Sequence, residues 1–595
     1  MDKVSRTFPI FLVAITVFFM SRSSPGHAEA DGWTYVRDLA PDSAGTMLLL
    51  TDGTVMVQGY NPGNNWMRLT PDSTGSYVNG TWSSIASMST PRLYYASHVL
   101  PSGKVWLLGG EYTGIPLQQT WANTGEIYDP ISNNWSPIAP HPEPNFGDDP
   151  SMLLSGDTIL AGSLNNERTY VYHIDSDQWS FEASKVYSDR SDEETWIKLP
   201  GNKVLTYDLF QSIATGGGYA ELYDPATHVW SSISPSDGTA LGTIPQLSSS
   251  DIGFELGPIV RLRGGGIFAI GATGHTARYR PSANKWRAGP DIAGILNGMS
   301  APFGADDSPA AVLPNGHVLF AADAGPAAVN TTGNIASGSP IITAIPSTDD
   351  LVPGWAVKGV GIPVDSAVVS IDSNTQVHIS HSATETKTAE PIKFGGTFSR
   401  PTQLFDFDPM ANAISSVPPP SVTLENISSF VTRMLVLPTG QVLFSDGSAR
   451  LWVYSPSGTA PAGAHPLIIK VKYQGAGLFT LNGKRLNGQS AGAAYGDDVE
   501  NDENYPIVRL TTRCDDQSSV TNGATSCSGE GPNVFYARTT NWSTTGVGTR
   551  GEKETVDFTL PSGITVGDYS LEVVGAGISS LPWRIHINQK QIDGL

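Results

Sequence analysis

The chain has 595 residues, with 63 Gly and 43 Pro, only 15% charged residues and a net charge of −21. Gly and Pro are in excess without a collagen-like period, and charge is well below the usual level of about a quarter. With 14 Trp, 20 Tyr and 20 Phe inside a hydrophobic fraction of 39%, these values point to an all-β protein and exclude a helical bundle, a coiled coil or wholesale disorder. The acidic balance and the lack of a Lys/Arg stripe exclude nucleic-acid binding. At the start of the chain, Lys3 and Arg6 precede an apolar run from Phe8 to Met20, and Ala28-Glu29-Ala30 has the small-x-small form of a cleavage site. Residues 1–30 therefore read as a signal peptide, and no later segment is apolar and long enough for a membrane span. A secreted or periplasmic protein is expected.

A unit of about fifty residues then repeats. Its copies are LTDGTVMVQG at 50–59, LPSGKVWLLGG at 100–110, LSGDTILAGS at 154–163, LPGNKVLTYD at 199–208, RLRGGGIFAIG at 261–271, LPNGHVLFAAD at 313–323 and LPTGQVLFSDG at 437–447. Each predicts a strand, a tight Gly turn and a second strand. A second element follows five copies: Tyr128-Asp129-Pro130 with Trp135, Tyr172 to Asp175 with Trp179, and Tyr223-Asp224-Pro225 with Trp230. The last two are Tyr279 to Pro281 with Trp286 and Phe407-Asp408-Pro409 with Ile414. It predicts a third strand, an Asp/Pro turn and a fourth strand whose aromatic packs between sheets. Four strands per unit and seven units predict a seven-bladed β-propeller over 31–461.

The spacing breaks between Gly316 and Gly440, where residues 327–396, rich in Thr, Ser, Val and Ile, read as a β-module inserted in a propeller loop. Beyond Pro461 the repeat stops, and residues 462–595 alternate as the short strands of an Ig-like sandwich. Both cysteines, Cys514 and Cys527, fall there, and in an oxidising compartment the pair is expected to form a disulfide. In the same region Asp498, Glu500, Asp502 and Asn504 place oxygen ligands at every second position, a weak calcium candidate because Glu503 stands where the loop needs glycine. No other cofactor is expected.

Acidic residues recur just before the inner strand of several units: Asp148-Asp149, Glu193-Glu194, Glu255, Asp306-Asp307 and, less regularly, Glu425. From successive blades such positions form a ring at one mouth of the channel, where focused negative potential suits a cation, an amine or a sugar. The alternative for each acid is a solvated loop or a turn cap. Arg92, Arg190, Arg261 and Arg433 fall at nearby positions, either to pair with those acids or to grip a carboxylate. Trp66, Trp121 and Trp196 leave the fourth-strand register and either stack on sugar rings or pack between blades.

The repeat resembles the kelch motif, with Leu107-Leu108-Gly109-Gly110 ending the second strand ahead of the Tyr-Asp-Pro…Trp pair. Seven such blades followed by an Ig-like domain are similar to the galactose oxidase architecture, over residues 31–595 apart from the insert. That resemblance implies one copper held by two His and two Tyr, one Tyr cross-linked to a Cys of the propeller. This sequence departs from it: no Cys precedes 514, Ser429 to Met434 stand where an adjacent Tyr-His pair is expected, and Ala537 to Gly548 contain no His. Copper-radical oxidation is therefore not expected. The expected function is binding, with a glycan or cell-surface polymer at the acidic mouth. Asp148, Asp149, Glu193, Glu194, Glu255, Asp306, Asp307, Arg92 and Arg433 are its candidate residues. The alternative is a non-redox carbohydrate-active enzyme, a lyase, hydrolase or mutarotase, using the same acids.

Overall fold

The computed structural model describes residues 32–593 apart from 253–254, 297, 326–327, 365, 397–398, 491–492, 496–503, 514–531 and 549–550. The expected signal peptide at 1–30, the Cys514–Cys527 pair and the calcium candidates Asp498, Glu500 and Asp502 lie outside the described residues. Each Gly-centred unit folds as an antiparallel hairpin. The pairs are Ala44–Leu49 with Val55–Gly59, Ala96–Val99 with Val105–Leu108, Ser151–Leu154 with Thr158–Ala161, and Trp196–Lys198 with Val204–Tyr207. They continue as Ile259–Arg261 with Ile267–Ile270, Pro309–Val312 with Val318–Ala324, and Arg433–Val436 with Val442–Ser445. The turn glycines Gly53, Gly103, Gly156, Gly201, Gly265, Gly316 and Gly440 have φ between 74° and 96°, a region glycine enters without steric cost.

Two further strands extend the hairpins into antiparallel sheets, numbered one to seven below in the order of those hairpins. In the seventh the fourth position is taken by Trp33–Tyr35, from the start of the described chain, pairing with Leu451–Tyr454. Joining first and last sheets this way ties the ends of the repeat together and protects an edge strand. The first strands of the sheets neighbour one another around an axis, Ala44–Leu49 beside Arg433–Val436, that strand beside Pro309–Val312, and so on back to Ala96–Val99. This all-β arrangement is that of a β-propeller.

The Tyr-Asp-Pro…Trp element latches the second to fifth sheets to the one before. In the second sheet the Tyr128 hydroxyl and the Ala86 amide both donate to Asn133 Oδ1 (2.9 and 2.8 Å), and the Trp135 indole donates to the Ala86 carbonyl (2.8 Å). Tyr172, Ala139, Asp177 and Trp179 repeat the pattern in the third sheet. The sixth sheet has Phe407 and Ile414 there, with neither hydroxyl nor indole, and replaces the latch by stacking Phe407 on Phe268 with centroids 3.8 Å apart. Trp66 and Trp196 also lie between sheets, against Trp135 and Trp230, with 1% and 2% exposure. Packing, not sugar stacking, is their role.

Between the second and third strands of the sixth sheet the chain leaves for Ala328–Ile335 through Lys387–Gly395, two small three-stranded sheets around their own core of Ile342, Trp355, Val377 and Phe394. After the seventh sheet, strands from Leu467–Gly475 to Trp583–Ile587 form two sheets sharing Val534–Thr540. This C-terminal unit covers the hairpin-turn face: the Thr539 amide donates to the Thr51 carbonyl (3.2 Å), Asn541 to Pro101 (2.7 Å) and Thr545 to Ser155 Oγ (3.1 Å). A strand from it, Ala493–Tyr495, pairs with Pro309–Val312 at the axis. Because first strands run from the inter-sheet crossovers to these turns, the crossovers gather on the opposite face. Among the described residues no helix is long and apolar enough to cross a membrane.

Candidate functional site

The crossovers deliver their acids to that opposite face, and one backbone feature sorts them. Asp148, Glu193 and Asp307 have φ of 59°, 63° and 40°. The left-handed region costs a residue with a Cβ about 1 kcal/mol or more, so three axial acids adopt it against local preference. Within each tandem pair this turn sends neighbouring carboxylates to different places. Carboxylate oxygens of Asp148, Asp192 and Glu193 lie within 4.8 Å of one another, and so do those of Glu193, Glu255 and Asp307. Glu193 belongs to both groups and so links acids from the crossovers leading to the third, fourth, fifth and sixth sheets. Glu193 and Glu255 are buried, while Asp148, Asp192 and Asp307 are partly open. The Glu193 amide, donating 2.8 Å to the Asp148 carbonyl, ties two of the crossovers directly.

Aromatic rings stand beside these acids. The indole N–H of the half-buried Trp121 donates to Asp148 Oδ2 at 3.3 Å. Burial, and then the negative charge of Glu111, Asp148 and Glu193, raises the Tyr112 phenol far above its ordinary range. Tyr94, edge-on to Tyr112 at 6.1 Å, is likewise raised by burial, with Tyr60 adding to the shift and Arg433 opposing it. The Arg433 guanidinium is 2% exposed and donates to the Phe430 and Thr432 carbonyls, the latter at 2.9 Å. It thus borders the mouth from inside the wall.

The remaining candidates do not belong to these two groups. Arg92, 1% exposed, pairs with Glu126 at 3.0 Å and donates to the Gly109 and Thr124 carbonyls. Arg261 bonds the Val547 carbonyl on the far face, and Arg190 joins Asp192 at 2.7 Å while lying over Phe210. Asp149 is buried and accepts from the Gly147 amide (3.3 Å). Asp306 is buried beside Asp323, whose carboxyl is raised well above the ordinary range by burial and by Asp306, while Ser429 and Thr402 donate to it. Glu194 turns away from the axis into a cluster around Lys185. Its Nζ lies 2.6 Å from Glu194, 3.1 Å from Asp189, 3.7 Å from Asp208 and 3.9 Å from Glu221. Burial pushes Glu194 up to about 8, with Lys185 opposing the shift and Asp189 and Glu221 adding to it. The same burial raises Asp208 and Glu221.

The axial group is the one that brings carboxylates of four crossovers together. Its donors are carboxylate oxygens, which suit hard cations, whereas copper sites of the radical-oxidase kind use imidazole and phenolate. Among the described residues the converging groups contain no His or Cys, so this donor set does not fit copper. Sequence reasoning passed over Asp192, Tyr94, Tyr112 and Lys185. Asp192 was readable, as it directly precedes the Glu193-Glu194 pair; the others depend on contacts between distant segments.

The fold and this site define a propeller whose axial mouth is lined with carboxylates and aromatics. Its sequence relatives are kelch-repeat proteins. The chain is 39% identical over 62 residues to an F-box/kelch-repeat protein of Arabidopsis thaliana, 10% of this chain and 17% of that protein. It is 25% identical over 211 residues to Kelch-like protein 35 of Mus musculus, 34% of this chain and 33% of that protein. The chain thus spans a third or less of the length of these curated relatives. No protein-family model matches it. Among solved structures, a fungal alcohol oxidase of the AA5 family in complex with copper aligns over 92% of this chain and 85% of its own, at 12% identity and a TM-score of 0.30. The structure of YjhT aligns over 58% of this chain and 100% of its own, at 13% identity and a TM-score of 0.30.

Proposed function

We propose that the chain is an exported, seven-bladed kelch-type propeller with an Ig-like C-terminal sandwich, and that it acts by binding a glycan or cell-surface polymer at its axial mouth. The observation that carries this reading is the convergence of Asp148, Asp192, Glu193, Glu255 and Asp307 from four crossovers. Such carboxylates accept hydrogen bonds from sugar hydroxyls or hold a hard cation, and the half-buried Trp121 offers a ring to the C–H face of a sugar. The C-terminal unit covers the other face, which leaves the crossover face for the ligand. Copper-radical oxidation is no part of this reading, since the donor set does not suit that metal.

The test is a panel of glycans and cell-wall polymers presented to the purified chain, alongside Glu193→Gln and Asp307→Asn. Saturable binding by the wild type that both variants lose supports the reading; no saturable binding across the panel overturns it. A second reading, non-redox acid/base chemistry on a carbohydrate, draws on the closeness of Glu193, Glu255 and Asp307, since such chemistry needs two carboxyl groups within reach of one substrate. Turnover of any bound glycan, lost in the same variants, separates it from binding alone.

A further inference from the structure

The crossover from Gln178–Ser184 to Trp196–Lys198 supplies two of the five axial carboxylates, Asp192 and Glu193. Lys185 is its first residue and Glu194 its second last. The Lys185 side chain has no exposure, and its ammonium reaches Glu194 (2.6 Å), Asp189 (3.1 Å) and the Arg190 carbonyl (3.2 Å), all in this same crossover. One cation therefore staples the segment end to end and in its middle. The same ammonium faces Asp208, the N-cap of the short helix Leu209–Thr215, and Glu221 in the third strand of the fourth sheet. Glu221 in turn accepts from the Val186 and Tyr187 amides at 2.7 and 3.1 Å, so the start of the crossover is held on both sides. Glu193 and Glu194 are consecutive, and the turn at Glu193 (φ 63°) sends their side chains from one stretch of backbone to the axis and to this pocket.

We propose that Lys185 is the positioning residue of the axial mouth: by anchoring Glu194, Asp189 and the Arg190 carbonyl it fixes where Glu193 and Asp192 stand on the axis. This rests on the reading of the mouth as the ligand site. Lys185 touches no ligand. It acts as an outer-shell group does at a metal or anion site, where losing the group that orients a ligand-binding side chain costs about 10- to 100-fold in affinity. In the second sheet a buried cation, Arg92, likewise pairs with the third-strand acid Glu126, the residue matching Glu221, while its other bonds go to the Gly109 and Thr124 carbonyls outside its crossover.

The test uses terbium(III) as the probe, since Trp121 adjoins the Asp148 carboxylate and can sensitise its luminescence. Wild type, Glu193→Gln, Lys185→Met, Lys185→Arg and the Lys185→Met/Glu193→Gln pair are titrated, each first shown folded by near-ultraviolet circular dichroism. Lys185→Met is expected to weaken terbium binding by about 10- to 100-fold, Lys185→Arg to restore most of it, and the double variant to lose no more than Glu193→Gln alone. A folded Lys185→Met that binds as the wild type, or losses that add in the double variant, would overturn the proposal. Wild type and Glu193→Gln binding alike would instead remove the mouth as the site, and this proposal with it. Should Lys185→Met not fold, Glu194→Gln reads the same link by replacing the carboxyl that Lys185 anchors with an amide. A loss of about tenfold is then expected, and unchanged binding contradicts it.

Discussion

Two carboxylate clusters lie one residue apart in this chain. Glu193 faces the axis with Asp148, Asp192, Glu255 and Asp307, while Glu194 turns inward to Lys185, Asp189, Asp208 and Glu221. Both gather acids from several chain segments, yet they have opposite characters. The inner group is sealed between sheets and built around its own ammonium, so its charge is committed to holding the fold. The axial group includes three partly open carboxylates, Asp148, Asp192 and Asp307, with indole and phenol rings beside it and Arg190 paired to Asp192 at its edge. What separates the two groups at 193 and 194 is direction: the turn at Glu193 (φ 63°) sends one carboxylate to the axis and the next into the pocket of Lys185.

The largest expected effect sharpens that contrast through stability. Lys185→Met leaves three buried acids, Glu194, Asp208 and Glu221, and the partly open Asp189 without their cation, and breaking a buried ion pair costs about 3–5 kcal/mol. Its melting temperature should fall by many degrees, whereas Glu193→Gln, which relieves like-charge crowding, should melt at or above the wild-type value. Equal losses in differential scanning calorimetry would break the distinction. Next, Glu193→Gln and Asp307→Asn should each abolish saturable ligand binding at the mouth, while Glu194→Gln should weaken it only through the crossover.

The pH dependence follows with a smaller effect. The Glu194 carboxyl rises on folding from its ordinary value near 4.5 to about 8. The folded state thus holds the proton more tightly, and this contribution is complete below pH 4.5 and lost as pH rises through 8. His141 runs the other way, because burial among Phe146, Tyr170 and Trp179 lowers its imidazole from 6.5 to about 3. Its contribution is present above 6.5 and lost as pH falls toward 3. Melting temperature should peak between these limbs, Glu194→Gln flattening the alkaline side and His141→Phe the acid side; an unchanged profile in either variant contradicts its assignment. The smallest expected change is at Trp121→Leu, which removes one ring and one donor to Asp148 and should weaken binding at the mouth by a few-fold at most, measured by the same titration.

Much of the scaffold is legible in the sequence because it is written locally. The turn glycines at 53, 103, 156, 201, 265, 316 and 440 mark the hairpins, since a tight turn demands φ that other residues resist. The Tyr and Trp of the second element announce the latches that bind neighbouring sheets. The tandem acids are equally visible, but which member reaches the axis is not, because that depends on a single torsion at 148, 193 or 307. Trp66 and Trp196 look free in the sequence and are buried, because their partners Trp135 and Trp230 are 69 and 34 positions away. Lys185 gives no local signal either: Asp208 and Glu221 come to it only when the fourth sheet packs on the third.

The most direct test of the division between the clusters is the anomalous difference density of terbium soaked into crystals of the folded chain. The account predicts the strongest peak among the carboxylates of Asp148, Asp192, Glu193, Glu255 and Asp307, with none in the pocket occupied by Lys185. Peaks confined to other surface acids, or a dominant peak beside Glu194 and Asp208, would contradict it.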